Sequence, residues 1–153
     1  TVTEQTWSVI LIVASLILLT GVVVFFVKTK DKSSDKLEKS KELAKIAYAA
    51  LEEKKANDIK IIDISGVTVL ADYFIIASGS NRNQVQAMVD SVQEDLYKIA
   101  GLEAKQVEGY QTGSWILLDY ADIIVHVFDE ENRLFYNLER IWRDGKDIAI
   151  EEL

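Results

Sequence analysis

The stretch "GSWILLDYADIIVHVF", Gly113–Phe128, decides the fold because two runs of strand-forming residues meet at a short polar break. β-branched and aromatic residues favour strands, and the tight connection predicts that Ser114–Tyr120 and Ile123–Phe128 form a β-hairpin. The stretch also holds the only histidine of the chain, His126, with two aspartates just upstream. This combination is compatible with either an active site or a buried hairpin.

Strand alternation favours the buried hairpin. Side chains two residues apart share a face of a strand, so His126 lies with Ile124 and Phe128, and Trp115 lies with Asp119. A histidine with apolar neighbours is typically a hydrogen-bonded structural residue. The alternative is a catalytic histidine oriented by a carboxylate. The alternation therefore predicts that no catalytic residue lies in the hairpin.

Working outward from the hairpin, the sequence predicts six further elements. Upstream lie strands at Ile59–Ile64, Tyr73–Ser78 and Lys105–Tyr110. Between the second and third of these strands the sequence predicts a helix that is capped by Ser80 or Asn81 and ends at Gly101. Its apolar positions are Val85, Met88, Val89, Val92, Leu96 and Ile99. A first helix carries the stripe Leu43, Ile46, Ala47, Ala50 and Leu51 with Ser40 as its N-cap, and a third carries Leu134, Phe135, Leu138, Ile141 and Trp142 and ends at Gly145. The order αββαβββα indicates an α/β fold, a mixed sheet of about five strands with helices packed on it.

The turn "IIASGSNRNQ" offers a second candidate site. Gly79 and Ser80 lie between a strand and a helix start, where backbone N–H groups can bind an anion, and the turn resembles the glycine-serine turn of nucleotidyltransferases. Those enzymes also need paired metal-binding carboxylates on a following strand, whereas the next acids here, Asp90, Glu94 and Asp95, fall within the second helix. A turn and N-cap is the favoured interpretation, and a metal-dependent nucleotidyltransferase is the alternative.

Composition narrows the chemistry further. The chain has 153 residues, no Cys and one His, which excludes disulfides, thiol nucleophiles and two-histidine metal sites, so no metal or cofactor is expected. Four of the 17 basic and three of the 25 acidic residues lie within 1–37, which leaves residues 38–153 with a net charge of −9. Such a surface repels phosphate backbones, so no sequence-specific nucleic acid binding is expected. A basic protein is the natural electrostatic partner.

The run Trp7–Val27 contains 21 residues without a charge, long enough to cross a bilayer core as a helix. Trp7 would lie at one interface, and Lys28 and Lys30 at the other would keep the C-terminal part in the cytoplasm. The expected organisation is a hydrophobic or transmembrane helix at 1–27, a charged linker or helix lead-in at 28–39, and a folded domain at 40–153. On this basis the domain is expected to be cytoplasmic, tethered to the inner face of the membrane if the anchor is native.

Two questions about the anchor stay open. The sequence begins with Thr1 rather than Met, which is compatible with a trimmed chain or with a segment of different origin joined to the domain. A membrane-tethered scaffold is therefore a third functional hypothesis.

Six residues are the candidate partner-binding site. Aromatic side chains with a polar edge anchor many interfaces, and charges beside them select the partner. The candidates are Tyr110, Trp115 and Tyr136 for apolar contact and Asp72, Asp119 and Asp122 for charge. Core packing for each aromatic and a turn role for Asp72 are the alternatives.

Four ordered motifs carry a resemblance to a known family. They are "ADYFIIASGSNRNQV" at Ala71–Val85, "EGY" at Glu108–Tyr110, "WILLDYADIIVHVF" at Trp115–Phe128 and "RLFYNLERIW" at Arg133–Trp142. From about Ser40 to Leu153 the chain resembles the bacterial ribosomal silencing factors, also called iojap-like proteins. Nothing in the family pattern corresponds to Trp7–Val27.

The resemblance implies an α/β fold distantly like nucleotidyltransferases, without their catalytic carboxylates and without enzymatic activity. It further implies binding to ribosomal protein L-fourteen on the large ribosomal subunit, a block on subunit joining when nutrients are scarce, and a homodimer when the protein is off the ribosome. An acidic domain that presents aromatic side chains suits a basic ribosomal protein.

Overall fold

The computed structural model describes residues 33–136 and 143–153, with the side chains of residues 135 and 136 left out. The chain divides into two compact units, Thr1–Leu37 and Glu38–Leu153, and of the first only residues 33–37, which are helical, are described. The predicted membrane helix Trp7–Val27 lies outside the described residues, as do Lys28 and Lys30. In the two ranges that are described, every helix is too short or too polar to cross a membrane.

The second unit is a mixed α/β domain, as predicted. Its elements are α1 (helical at 33–53), β1 (Asn57–Asp63), β2 (Tyr73–Gly79), α2 (Arg82–Ala100), β3 (Gln106–Glu108), β4 (Trp115–Asp119), β5 (Ile123–Asp129), α3 (Glu130–Tyr136), β6 (Lys146–Ile148) and a 3-10 turn (Ile150–Glu152). The sheet has six strands, one more than predicted, because the short β6 pairs antiparallel with β1. Two of the three residues of β6 are charged, so it carries no apolar alternation that would mark it in the sequence.

The strand order β3-β4-β5-β2-β1-β6 brings the predicted hairpin next to β2. Strands β4 and β5 pair antiparallel, with Trp115 opposite Phe128, whereas β2 and β5 run parallel, with Phe74 beside Ile124 and Ile76 beside His126. The other pairs of neighbouring strands are antiparallel. The parallel pair makes the sheet mixed and places the histidine strand at the centre of the domain.

The two faces of the sheet have different neighbours. A Cβ added to Gly79 would lie 3.0 Å from Val85 Cγ2 and 3.2 Å from Met88 Sδ, so the face that contains Gly79 packs against α2. On the opposite face a second apolar cluster contains Ile62, Ile64, Ala71, Phe74, Ile76 and Phe128, with Trp115 and Ile124 packed against it. This opposite side is called the Trp115 face below, because it presents the strongest predicted anchor.

Helix α2 follows its sequence signals at both ends. Asn81 is the N-cap, accepting from the Gln84 N–H at 2.9 Å, and Gly101 ends the helix at a φ of 65°. One position of the predicted apolar stripe is not buried: Ile99 is 68% exposed, and the other residues between Leu96 and the end of the helix are exposed as well.

Helix α1 corrects the predicted N-cap. The helix already includes residue 33, so Ser40 lies inside it rather than at its start. Ser40 is fully buried, and its hydroxyl donates to Asp72 Oδ2 at 2.6 Å. A serine side chain can satisfy a distant acceptor as well as a helix end, and here the distant acceptor takes it.

Helix α3 has a different inner face from the predicted one. Leu134, on the apolar stripe predicted for this helix, is 83% exposed, whereas Arg133 is 7% exposed. The reason is an ion pair with a residue far away in sequence: Arg133 Nη2 lies 3.2 Å from Asp58 Oδ2 and donates to the Asp58 carbonyl at 3.1 Å. The remaining predicted stripe positions and the stop at Gly145 depend on residues outside the described ranges.

Candidate protein-docking site

Trp115 is the best-defined feature of the candidate site. It is half-buried at the start of β4, and its ring stacks on Phe128, with ring centroids 5.1 Å apart and planes 24° apart. Its indole Nε1–H donates to His126 Nδ1 at 3.1 Å. Stacking and hydrogen bonding fix the ring in one orientation, so Trp115 is ordered within the domain itself.

His126 is the buried support for Trp115. It is 5% exposed and makes a T-shaped contact with Phe74, with ring centroids 5.0 Å apart. Because an indole N–H can only donate, Nδ1 is the acceptor and the proton lies on Nε2, which has no hydrogen-bond partner among the described residues. Burial, with a smaller contribution from the charge of Arg133, lowers the pKa of His126 to about 4. The prediction of a buried, hydrogen-bonded histidine is confirmed.

The far end of the hairpin holds two of the predicted acids. Asp119 Oδ1 accepts from the Ala121 N–H at 2.8 Å and so stabilises the turn, in which Ala121 has a left-handed φ of 67°. Asp122 accepts through its backbone carbonyl from the Asp72 N–H at 2.8 Å. All three aspartates are half-buried, and the turn brings Asp72 and Asp122 together. Their charges therefore lie at the same end of the sheet, with Asp119 and Asp72 each also making a structural bond.

Tyr110 lies elsewhere. Its hydroxyl donates to both carboxylate oxygens of Asp90 in α2, at 3.0 and 3.1 Å, and this bond raises the pKa of Tyr110 above its usual value. Because α2 covers the face opposite Trp115, the structure does not bring these two aromatic side chains into one patch. Tyr136 ends α3, and its side chain lies outside the described part of the chain. The assignment of both tyrosines to a partner stays a prediction.

Two aromatic residues that matter to the site were not singled out in the sequence. Phe128 and Phe74 hold Trp115 and His126 in place. Alternation places Phe128 on the face of His126, but the position of Phe74 depends on the parallel register of β2 and β5. Local sequence carries no signal for that register.

In the Gly79–Ser80 turn, the backbone N–H and the hydroxyl of Ser80 both donate to side chains of the same domain. The Ser80 N–H donates to Gln84 Oε1 at 2.8 Å, and the Ser80 hydroxyl donates to Glu130 Oε1 at 3.3 Å. Asn57 Nδ2 donates to the same Glu130 oxygen at 2.9 Å. Within residues 33–136 and 143–153, no group of three His, Cys, Asp or Glu side chains is arranged to hold a metal ion. The observed bonds match the turn and N-cap interpretation.

The structure is an acidic α/β domain with an ordered, half-buried tryptophan at one end of its hairpin and three carboxylates at the other end. The family model described as "Ribosomal silencing factor during starvation" matches residues 37–153. The chain belongs to this family.

Individual relatives agree with the family match. The chain is 36% identical over 115 residues to "Ribosomal silencing factor RsfS" of Halalkalibacterium halodurans, which covers 73% of this chain and 95% of the relative. It is 39% identical over 105 residues to the protein of the same name from Bacillus subtilis, covering 69% and 88% of the two chains. A crystal structure of a Chromobacterium violaceum protein matches with a TM-score of 0.64 at 38% identity, over 71% of this chain and 88% of that chain.

Proposed function

We propose that this protein is a non-catalytic, cytoplasmic translation repressor that binds the large ribosomal subunit through ribosomal protein L-fourteen and blocks subunit joining under nutrient limitation. The family description supports a ribosomal target and a role in starvation. The acidic charge of the chain supports a basic partner, since complementary charge steers association and selects against wrong partners. Off the ribosome the protein forms a homodimer.

The ordered Trp115 carries this proposal. An aromatic side chain already fixed by Phe128 and His126 loses little conformational entropy when it is covered, so more of its contact energy becomes affinity. Asp119, Asp122 and Asp72 supply negative charge for Lys or Arg of the partner. The Asp119 and Asp72 carboxylates are held in place by bonds from the Ala121 N–H and the Ser40 hydroxyl.

Trp115→Ala is expected to weaken binding to purified large ribosomal subunits ~30-fold, because truncation of an interface tryptophan costs ~2 kcal/mol or more. Asp119→Lys is expected to abolish binding through like-charge repulsion. Co-sedimentation with large subunits measures both, and circular dichroism checks that each variant stays folded. Leu134→Ala, at an 83% exposed position on α3, is the matched control and should bind as the unaltered chain does. Unchanged sedimentation of both test variants would rule out this interface.

Incubation with labelled nucleoside triphosphates and Mg²⁺ is expected to give no turnover. The N–H and hydroxyl of Ser80 already bond Gln84 and Glu130, so the turn has these donors committed within the protein. A metal-dependent nucleotidyltransferase would instead give product, and Asp119→Asn would remove its activity. Product formation that Asp119→Asn abolishes would contradict the non-catalytic proposal and favour the enzyme.

A further inference from the structure

The loop between β1 and β2 exposes a cluster of aliphatic side chains. Val69 is fully exposed at 103% of its reference area, Leu70 is 63% exposed and Val67 is 42% exposed. These three side chains lie within residues 65–70, a stretch without a single charged residue, which is called the aliphatic loop below. Contiguous exposed apolar side chains mark interaction sites more often than isolated ones do.

The aliphatic loop is held in shape by its own hydrogen bonds. The Ser65 N–H and hydroxyl both donate to Asp63 Oδ1, at 3.0 and 2.7 Å. The Val67 N–H donates to the Ile64 carbonyl at 2.9 Å, and the Leu70 N–H donates to Thr68 Oγ1 at 3.2 Å. The exposed side chains are therefore presented by an ordered backbone, which reduces the entropy lost on binding.

Carboxylates surround the base of this loop. Asp63 precedes it and Asp72 follows it, and the Asp72 N–H donates to the Asp122 carbonyl at 2.8 Å. Lys146 lies opposite Asp63 on the neighbouring strand β6. Its ammonium group, however, forms an ion pair with Glu152 Oε2 at 3.4 Å.

The same carboxylates affect the pKa of the neighbouring Tyr73. Burial is the main cause that raises the pKa of Tyr73 to about 12, and the charges of Asp63, Asp72 and Glu38 contribute to the same rise. An apolar tip on a negative base suits a partner surface that combines apolar and basic groups. A second copy of this acidic chain and a membrane of anionic lipids both meet like charge there.

The aliphatic loop is continuous with the Trp115 face. Ile64 and Ala71, at its two ends, are buried in the same apolar cluster as Phe74 and Phe128, and Trp115 packs against that cluster. The two ends of the loop and Trp115 therefore share one packed apolar cluster.

We propose that the aliphatic loop is a second anchor for the same basic ribosomal partner, with Val69 and Leu70 entering apolar contact while Asp63, Asp72 and Asp122 face its cations. This inference rests on the proposed function and adds a surface to it. It assigns binding energy to residues outside the hairpin and outside the candidate set read from the sequence.

The test uses the full chain in mild detergent with purified large ribosomal subunits. The double variant Val69→Ser with Leu70→Ser is expected to raise the Kd ~10-fold or more, because it removes apolar contact at the tip. Its Tm should stay at the unaltered value, since both side chains are exposed in the free domain. Ile99→Ser, at a 68% exposed position on α2, is the matched control and should leave the Kd unchanged.

The outcomes separate the two proposals. If the double variant binds as the unaltered chain does while Trp115→Ala does not, the loop inference is overturned and the proposed function stands. If the unaltered chain fails to bind large subunits, both are overturned. A double variant that loses only self-association in sedimentation velocity, or only binding to anionic vesicles, identifies a second copy or a membrane as the occupant and overturns the inference.

Discussion

Gly109→Ala is expected to lower the free energy of unfolding by about 3 kcal/mol or more and the Tm by ~10 °C. Gly109 has a φ of 78°, in the left-handed region that side chains rarely adopt, and its added Cβ would lie 2.0 Å from the Trp115 carbonyl oxygen. Such a separation is far inside van der Waals contact, and the obstacle is backbone that cannot rotate away. Either the loop or the start of β4 must move.

Substitutions at two other glycines separate the cost of backbone strain from the cost of the steric clash. Gly101 has a similar φ of 65° with open space around its Cβ position, so Gly101→Ala reports backbone strain alone, at ~1 kcal/mol. Gly66 has open space around its Cβ position and a φ outside the left-handed region, so Gly66→Ala should be close to neutral. Thermal unfolding of the three variants gives the order Gly109, Gly101, Gly66. A Gly109→Ala protein that melts within 2 °C of the unaltered chain would contradict the close approach.

Gly109→Ala should also weaken ribosome binding, because the clash is with the backbone of the proposed anchor. The Thr112 hydroxyl and the Gly113 N–H both donate to the Gly109 carbonyl, at 3.1 Å each, so the turn holds its own shape. Because this turn leads directly into β4, relief of the clash is expected to shift Trp115. The family match at "EGY" thus includes a glycine whose steric role only the structure shows.

The parts of this fold that the sequence predicts are those that depend on neighbours along the chain. Alternation over the hairpin correctly groups His126 with Phe128, and the Asn81 and Gly101 signals correctly bound α2. These features follow from the two-residue side-chain period of strands and from helix capping, both of which depend on residues only a few positions apart. The predicted α/β class follows from the order of such local elements.

The parts that the sequence does not predict depend on distant partners. Ser40 resembles an N-cap until Asp72 is brought within hydrogen-bond distance, and Arg133 resembles a surface residue until Asp58 pairs with it. Strand β6 forms because it pairs with β1. In each case a contact over many residues overrides the local preference, and one sequence carries no direct signal for such a contact.

The candidate site divides in the same way. Trp115 and the aspartates at the turn were predicted from residue type and alternation, and the structure holds them in defined places. Tyr110 was grouped with them because it is aromatic with a polar edge, yet its hydroxyl bonds Asp90 of α2. The aliphatic loop was missed because "GVTVL" has the composition of a buried strand, and only its exposure distinguishes it.

The stability of the domain is expected to fall by about 2 kcal/mol between pH 7 and pH 5 through His126 alone. Its pKa in the folded protein is about 4, below the 6.5 of an unfolded histidine, chiefly because burial disfavours the charged ring. Between these two values the unfolded chain binds a proton that the folded chain does not. The stabilisation is therefore fully present above pH 6.5 and is lost as the pH falls towards 4.

Because His126 is the only histidine in the chain, its titration can be followed without assignment by mutation. The imidazole Cε1–H resonance should stay close to its neutral position down to pH 5 and begin to move only near pH 4. Urea unfolding across pH 5 to 7 measures the matching change in free energy. His126→Gln is the control, since its amide oxygen can still accept the indole N–H of Trp115 but does not titrate, so its pH dependence should be weaker by about 2 kcal/mol.

Protonation of His126 would also act on the proposed anchor. Nδ1 now accepts the Trp115 Nε1–H at 3.1 Å, and a protonated ring would turn that acceptor into a donor, so two donors would face each other. The indole N–H resonance of Trp115 should therefore shift with the same midpoint as the imidazole resonance. A histidine that titrates near pH 6.5 in the folded protein, or an indole resonance that ignores the transition, would show that the imidazole is not the buried acceptor that fixes Trp115. Agreement of the two midpoints would show that the neutral form of His126 fixes the orientation of Trp115.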